Sequence, residues 1–68
     1  MKINNTEDIA LEIRRARKLQ GLTQKQLAGL CNISVGFIIA VEKGKETAHI
    51  GKVITIIKML GLNIEIGK

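Results

Sequence analysis

Apolar residues along this chain recur at intervals of three and four, and the runs are punctuated by Gly21, Gly44 and Gly61. Such spacing lines up side chains on one face of a helix, and a glycine after it supplies the stop. The first run predicts a helix beginning near Asn5 or Thr6, either of which can cap it. Ile9, Ile13 and Ala16 share its inner face, with Leu19 or Gln20 closing it. Glu7 and Asp8 fall in the first turn, and Arg14, Arg15, Arg17 and Lys18 crowd the last turns, the charge order a helix dipole favours. Gly21 ends it.

The next two runs are shorter. Thr23-Gln24-Lys25-Gln26 opens a second helix as a capping box: the Thr hydroxyl accepts from the amide three residues on, and Gln26 reaches back. Leu27 and Leu30 face inward, and Ala28 is small enough for close helix contact. Cys31-Asn32-Ile33 makes the turn, with Asn32 suited to a left-handed corner. Ser34 caps a third helix from Val35 to about Lys43, which buries Ile38 and Val41 and stops at Gly44. Thr47 then caps a fourth helix, in which Ile50, Val53, Ile54, Ile57 and Leu60 repeat down to Gly61.

The tail changes period. Leu62-Asn63-Ile64-Glu65-Ile66 alternates apolar and polar, which predicts a half-buried strand over about 62–66. A lone strand has nothing to pair with inside four helices, and an open edge is a template for another chain. Leu62, Ile64 and Ile66 are therefore expected to pair with their copies in a homodimer. The alternative is a tail lying on its own domain without pairing.

Composition narrows the partners. Residues 1–68 make one small domain, and a chain of this size buries only about 60% of its unfolded surface, so assembly would help it. One cysteine (Cys31) and one histidine (His49) exclude an internal disulfide and leave no zinc-site spacing, so no metal and no cofactor are expected. Cys31 reads as a buried turn thiol and His49 as a first-turn surface residue. Eleven Lys and Arg against six Asp and Glu give a net charge of +5, which favours nucleic acid over other partners, although solubility alone can account for such a charge. No apolar run reaches membrane-spanning length and the N-terminus is polar, so a cytoplasmic protein without membrane contact is expected.

Two short helices joined by a tight turn suit a helix-turn-helix, over about residues 23–43, whose second helix enters the major groove. The set Gly21-Leu22-Thr23-Gln24, Leu27-Ala28, Ile33-Ser34, Ile38 and Glu42-Lys43-Gly44 resembles the lambda-repressor-like (Xre) helix-turn-helix family over about residues 9–61. Phe37-Ile38, Glu42-Lys43-Gly44-Lys45, Thr47-Ala48, Ile50-Gly51-Lys52-Val53 and Leu60-Gly61-Leu62 are similar to the HipB-type antitoxins within it. The resemblance implies an all-α fold of four helices, with a short C-terminal β-strand used for dimerisation. It also implies a repressor of its own toxin–antitoxin operon that binds a palindromic operator in double-stranded DNA and a HipA-like kinase toxin.

By the same resemblance, Gln24 lies at a phosphate-binding helix start, and Ser34, Val35, Gly36, Ile39 and Ala40 face the groove with Phe37 beside them. Lys25, like Lys43 and Lys45, is expected at a DNA phosphate, the alternative being a merely solvated charge. Lys43 and Lys45 match a loop along the DNA backbone. Arg17 matches an arginine whose family partner is a glutamate; here that position is Gln26, which limits the pair to a hydrogen bond.

The reading face departs from the family, which usually carries polar side chains where this chain has Val35, Gly36, Ile39 and Ala40. Three explanations stay open: contacts to thymine methyls, specificity from DNA shape and half-site spacing, or a surface that has turned to a protein partner. The rival function is accordingly a protein-interaction antitoxin or scaffold with weak or no specific DNA recognition. Catalysis has no support, because a single His and a single Cys have no plausible third group and Gly44–Lys52 lacks phosphate-loop spacing.

Overall fold

A computed structural model describes residues 2–66. The elements run β1 (Lys2–Ile3), α1 (Thr6–Leu19), α2 (Gln24–Cys31), α3 (Val35–Glu42), α4 (Ile50–Met59) and β2 (Glu65–Ile66). Each helix start has a local cause. Asn5 caps α1 by accepting from the Asp8 amide at 2.9 Å, and the Asp8 carboxylate accepts in return from the Asn4 amide at 2.9 Å. Thr23 and Gln26 form the full capping box on α2. Ser34 caps α3.

The stops are equally local. Gly21, Gly44 and Gly61 follow α1, α3 and α4 with positive φ, a backbone that side chains other than Asn rarely accept. Asn32, with φ of 55°, is the one non-glycine among the described residues in that region, and it makes the corner between α2 and α3. The two helices meet there at 116°.

The core sits between the four helices, with α3 packed against both α1 and α2 and α4 packed against α2. Ile13, Leu27, Ile38, Ile56 and Ile57 are fully buried, with Ala16, Ala28, Cys31, Val41, Val53 and Leu60 around them. At about 25 cal/mol per Å² of apolar surface removed from water, these aliphatic side chains supply most of the drive to fold. Thr6 ties the start of α1 to the end of α3, its hydroxyl donating to the Gly44 carbonyl at 2.9 Å. Among the described residues no single helix is long and apolar enough to cross a membrane.

Several expected details differ. The C-terminal strand is limited to Glu65–Ile66, and it has a partner in its own chain, the parallel strand Lys2–Ile3. The polar N-terminus hid that strand, because two residues show no period. Leu19 is 78% exposed, and Gln20 takes its place by donating to the Leu60 carbonyl at 2.9 Å. Leu30 is 54% exposed as well: α2 presents Leu27, Ala28 and Cys31 to the core. α4 is capped by His49, not Thr47, because a turn at Glu46-Thr47 delays the helix. Its buried stripe is Val53, Ile56, Ile57 and Leu60, while Ile50 is 65% exposed. Both stripes have helical spacing, so periodicity could not choose between them.

Candidate nucleic-acid interface

α3 is apolar on every side, yet only one side is used for packing. Ile38 and Val41 are buried, and Phe37 packs half-buried against the same cluster. At 100° per residue the opposite arc holds Val35, Gly36, Ile39, Ala40 and, at the C-cap, Lys43. Val35 is 41% exposed, Gly36 and Lys43 are exposed, and Ile39 and Ala40 are half-buried. Val35, Gly36, Ile39, Ala40 and Lys43, five of the residues matched to a groove-facing or backbone-facing role, share one surface. A Cβ built on Gly36 would meet nothing within 4 Å, so no contact inside the chain requires glycine there. Ser34, exposed beside Val35, uses its oxygen to accept from the Phe37 amide at 3.2 Å. Its hydroxyl proton remains available to an outside acceptor.

The C-terminal end of α3 is tied down by an ion pair. Arg17 Nε donates to Glu42 Oε2 at 2.8 Å, Arg17 Nη2 donates to Glu42 Oε1 at 3.0 Å, and Arg17 Nη1 donates to the Leu22 carbonyl at 2.9 Å. The side chains are only 10% and 4% exposed. This corrects the expected Arg17–Gln26 hydrogen bond, since Gln26 is engaged in the capping box and Glu42 supplies the carboxylate from α3. The pair locks the last turn of α3 against α1 and the turn before α2. Leaving either charge buried alone would cost several kcal/mol.

Gln24 belongs to the same network. Its Nε2 donates to Glu42 Oε1 at 3.3 Å, so the side chain expected at DNA is held from behind by the end of α3. The first amides of an α-helix lack intrahelical acceptors, and α2 begins with Gln24 and Lys25. Lys25, Lys43 and Lys45 are all exposed. Gln24, Ile39 and Lys43 line one open recess of about 320 Å³ with Arg14, Arg17 and Glu42. Lys45 lies elsewhere, on a small apolar recess of about 60 Å³ with Ile50, Val53 and Thr6. Phe37 lies beneath the Lys52 ammonium, 5.6 Å from ring centroid to nitrogen, which links α3 to the first turn of α4.

Arg14 was not singled out in the sequence. It stands among four cations near the end of α1, and only the fold brings it beside Gln24 and Lys43. Of the residues expected at a dimer contact, Leu62 packs against the core and Ile64 is 40% exposed. Ile66 pairs with Ile3 in the backbone register, and its side chain lies outside the described residues. Burial pushes the Cys31 thiol up from its ordinary value, which makes it a poor nucleophile near neutrality. Among the described residues no group of three His, Cys, Asp or Glu side chains could hold a metal ion.

Comparison with known proteins agrees with the geometry. The helix-turn-helix family profile matches residues 13–66. The chain is also 42% identical over 65 residues to a protein of Sinorhizobium fredii described as the uncharacterized HTH-type transcriptional regulator y4mF, an alignment covering 96% of this chain and 86% of that protein. On both grounds the chain belongs to the helix-turn-helix family of transcriptional regulators.

Proposed function

We propose that this protein is a sequence-specific DNA-binding repressor, and that the outward arc of α3 is its reading surface. The observation that carries this reading is the arc itself. Ser34, Val35, Gly36, Ile39 and Ala40 lie together on the second helix of a helix-turn-helix, flanked by exposed Lys25 and Lys43, on a chain of net charge +5. Phosphates supply most of the affinity, from the lysines and the start of α2. Base discrimination comes from Val35 and Ile39 against thymine methyls and from the Ser34 hydroxyl.

The repressor acts as a homodimer on a palindromic operator. β2 is paired on one edge by β1, and among the described residues its second edge is open to the same strand of a partner copy. A two-residue strand pair is weak alone, so extension across a two-fold axis would stabilise both tails. Similarity to HipB-type sequences extends the reading to the antitoxin of a toxin–antitoxin operon, which represses its own promoter and binds a HipA-like kinase.

A second reading has one observation in its favour. Apart from Ser34 and Lys43, the arc offers no side-chain hydrogen-bonding group, and its Val and Ile would equally suit a protein partner. Fluorescence anisotropy separates the two readings, with the duplex immediately upstream of the chain's own coding sequence titrated against random duplex across a salt series. The repressor binds its upstream duplex at least a hundredfold more tightly. Equal affinity for both duplexes would leave the protein-interaction reading. For the dimer, sedimentation of the chain truncated after Gly61 should give a monomer where the full chain gives a dimer. The antitoxin role requires a neighbouring kinase-like protein whose toxicity this chain relieves, and a chain without that effect is a repressor only.

A further inference from the structure

We propose that Arg14 on α1 is a DNA-phosphate contact, forming with Lys43 and Gln24 a single phosphodiester site where α1, α2 and α3 meet. The assignment rests on the DNA-binding reading above and adds to it a helix that the sequence pattern left out of the interface.

The recess of about 320 Å³ is lined by Arg14, Arg17, Gln24, Ile39, Glu42 and Lys43. Two of its charges cancel: Arg17 and Glu42 are 2.8 Å apart and nearly buried. The Gln24 amide lies against the same carboxylate at 3.3 Å, which further satisfies its oxygens. The uncompensated charge at the opening therefore comes from Arg14 and Lys43. Both are exposed, and among the described residues neither has an ion pair. Glu7 lines the neighbouring recess that Arg14 and Lys43 share, and does not line this one.

The recess fits a phosphodiester better than a free-standing surface charge would. A guanidinium presents a planar fork to two phosphate oxygens, whereas an ammonium acts as a point charge beside it. Ile39, in the middle of the outward arc, lines the same opening. A phosphate seated there thus belongs to a strand whose bases face α3. Arg15, the adjacent residue, supplies an internal contrast. It is bonded to Glu12 at 2.8 Å and does not line the recess.

The test measures the affinity of the full-length chain for its upstream duplex and for random duplex across a salt series, with Arg14→Gln, Arg14→Lys and Arg15→Gln beside it. Arg14→Gln is expected to weaken binding to both duplexes alike, by roughly five- to tenfold, and to lower the salt slope by about one per protomer. Arg14→Lys restores the slope and recovers part of the affinity. Arg15→Gln changes neither. A wild-type chain that binds, with Arg14→Gln leaving the slope unchanged, overturns the assignment alone; so does an equal loss from Arg15→Gln, which would make the effect one of overall charge. A wild-type chain that binds neither duplex removes the DNA-binding reading and this site together.

Discussion

The two faces of α3 are made of the same kind of residue and do opposite things. Ile38 and Val41 vanish into the core, while Val35 and Ile39, of the same chemical type, face out with Gly36 and Ala40 between them. Hydrophobicity cannot have chosen which side goes in, because a helix apolar all round has no preferred face. Both ends of the helix are tied down by other contacts: the Ser34 cap and Ile33 at the start, and Glu42 clamped to Arg17 at the finish. A buried ion pair is weak evidence for stability but a good device for selecting one arrangement among near-equals.

Breaking that clamp should have the largest effect. Glu42→Ala leaves the Arg17 guanidinium buried without its carboxylate, and a loss of about 3–5 kcal/mol is expected in urea unfolding, enough to remove most of the stability of a domain this size. The double replacement Arg17→Met/Glu42→Met should recover much of that loss, since an apolar pair leaves no orphaned charge. If the orientation of α3 depends on the clamp, the recovered variant will be stable yet poorer at binding DNA than its stability predicts. Recovery of both together would assign the orientation to packing alone.

Next come the two isoleucines that stand side by side. Ile38→Ala opens a cavity at a fully buried site and should cost about 2–5 kcal/mol. Ile39→Ala, half-buried on the outward arc, should cost about 1 kcal/mol or less in the same unfolding experiment. Equal costs would mean that the two faces are not distinct. Gly36→Ala sharpens the contrast at a smaller scale. A Cβ there meets no atom of the chain, so the helix should gain about 0.5–1 kcal/mol from the better helix former. If a DNA edge or backbone approaches that position closely, the same methyl lowers affinity while stability rises.

The smallest effect is a reporter of the inner face. Cys31 lies in the cluster that holds Ile38 and Val41, and burial raises its thiol above the ordinary value. A raised folded value means that the neutral thiol is favoured by the fold. The associated stability is full below the ordinary thiol pKa and declines as pH rises through it. Alkylation of Cys31 at neutral pH should accordingly be slow in the wild type and faster in Ile38→Ala. An unchanged rate in that variant would show that loosening the inner face does not open the turn.

How far the sequence reached depends on where the controlling signal lay. The helix starts at Asn5, Thr23 and Ser34 and the left-handed Asn32 corner were legible because they are set by residues within three positions of one another. So were the buried faces of α1, at Ile13 and Ala16, and of α3. The inner face of α4 was legible at Val53, Ile57 and Leu60 but not at Ile56, which is buried where Ile50 and Ile54 were expected, because its isoleucines satisfy two overlapping stripes and only packing decides between them. Leu30 and Leu19 were misplaced for the related reason that an apolar side chain at helical spacing need not be buried. The Arg17–Glu42 pair joins positions far apart in the chain, and a match based on Gln26 pointed to the wrong partner. The Lys2–Ile3 strand is too short to show a period. Of the candidate site, the arc on α3 was legible from position in the motif, while Arg14 needed the fold to bring three helices together.

On the proposed reading, the outward face of α3 distinguishes one DNA sequence from another even though it is almost wholly apolar. Its most direct test is the ratio of affinities for the chain's own upstream duplex and for random duplex, measured at fixed salt for the wild type and for Ile39→Ala. The ratio should fall about fivefold or more in the variant, the cost of one lost base contact, while binding to random duplex stays the same. A ratio that does not change would show that Ile39 reads nothing and would return the apolar face to the protein-partner reading.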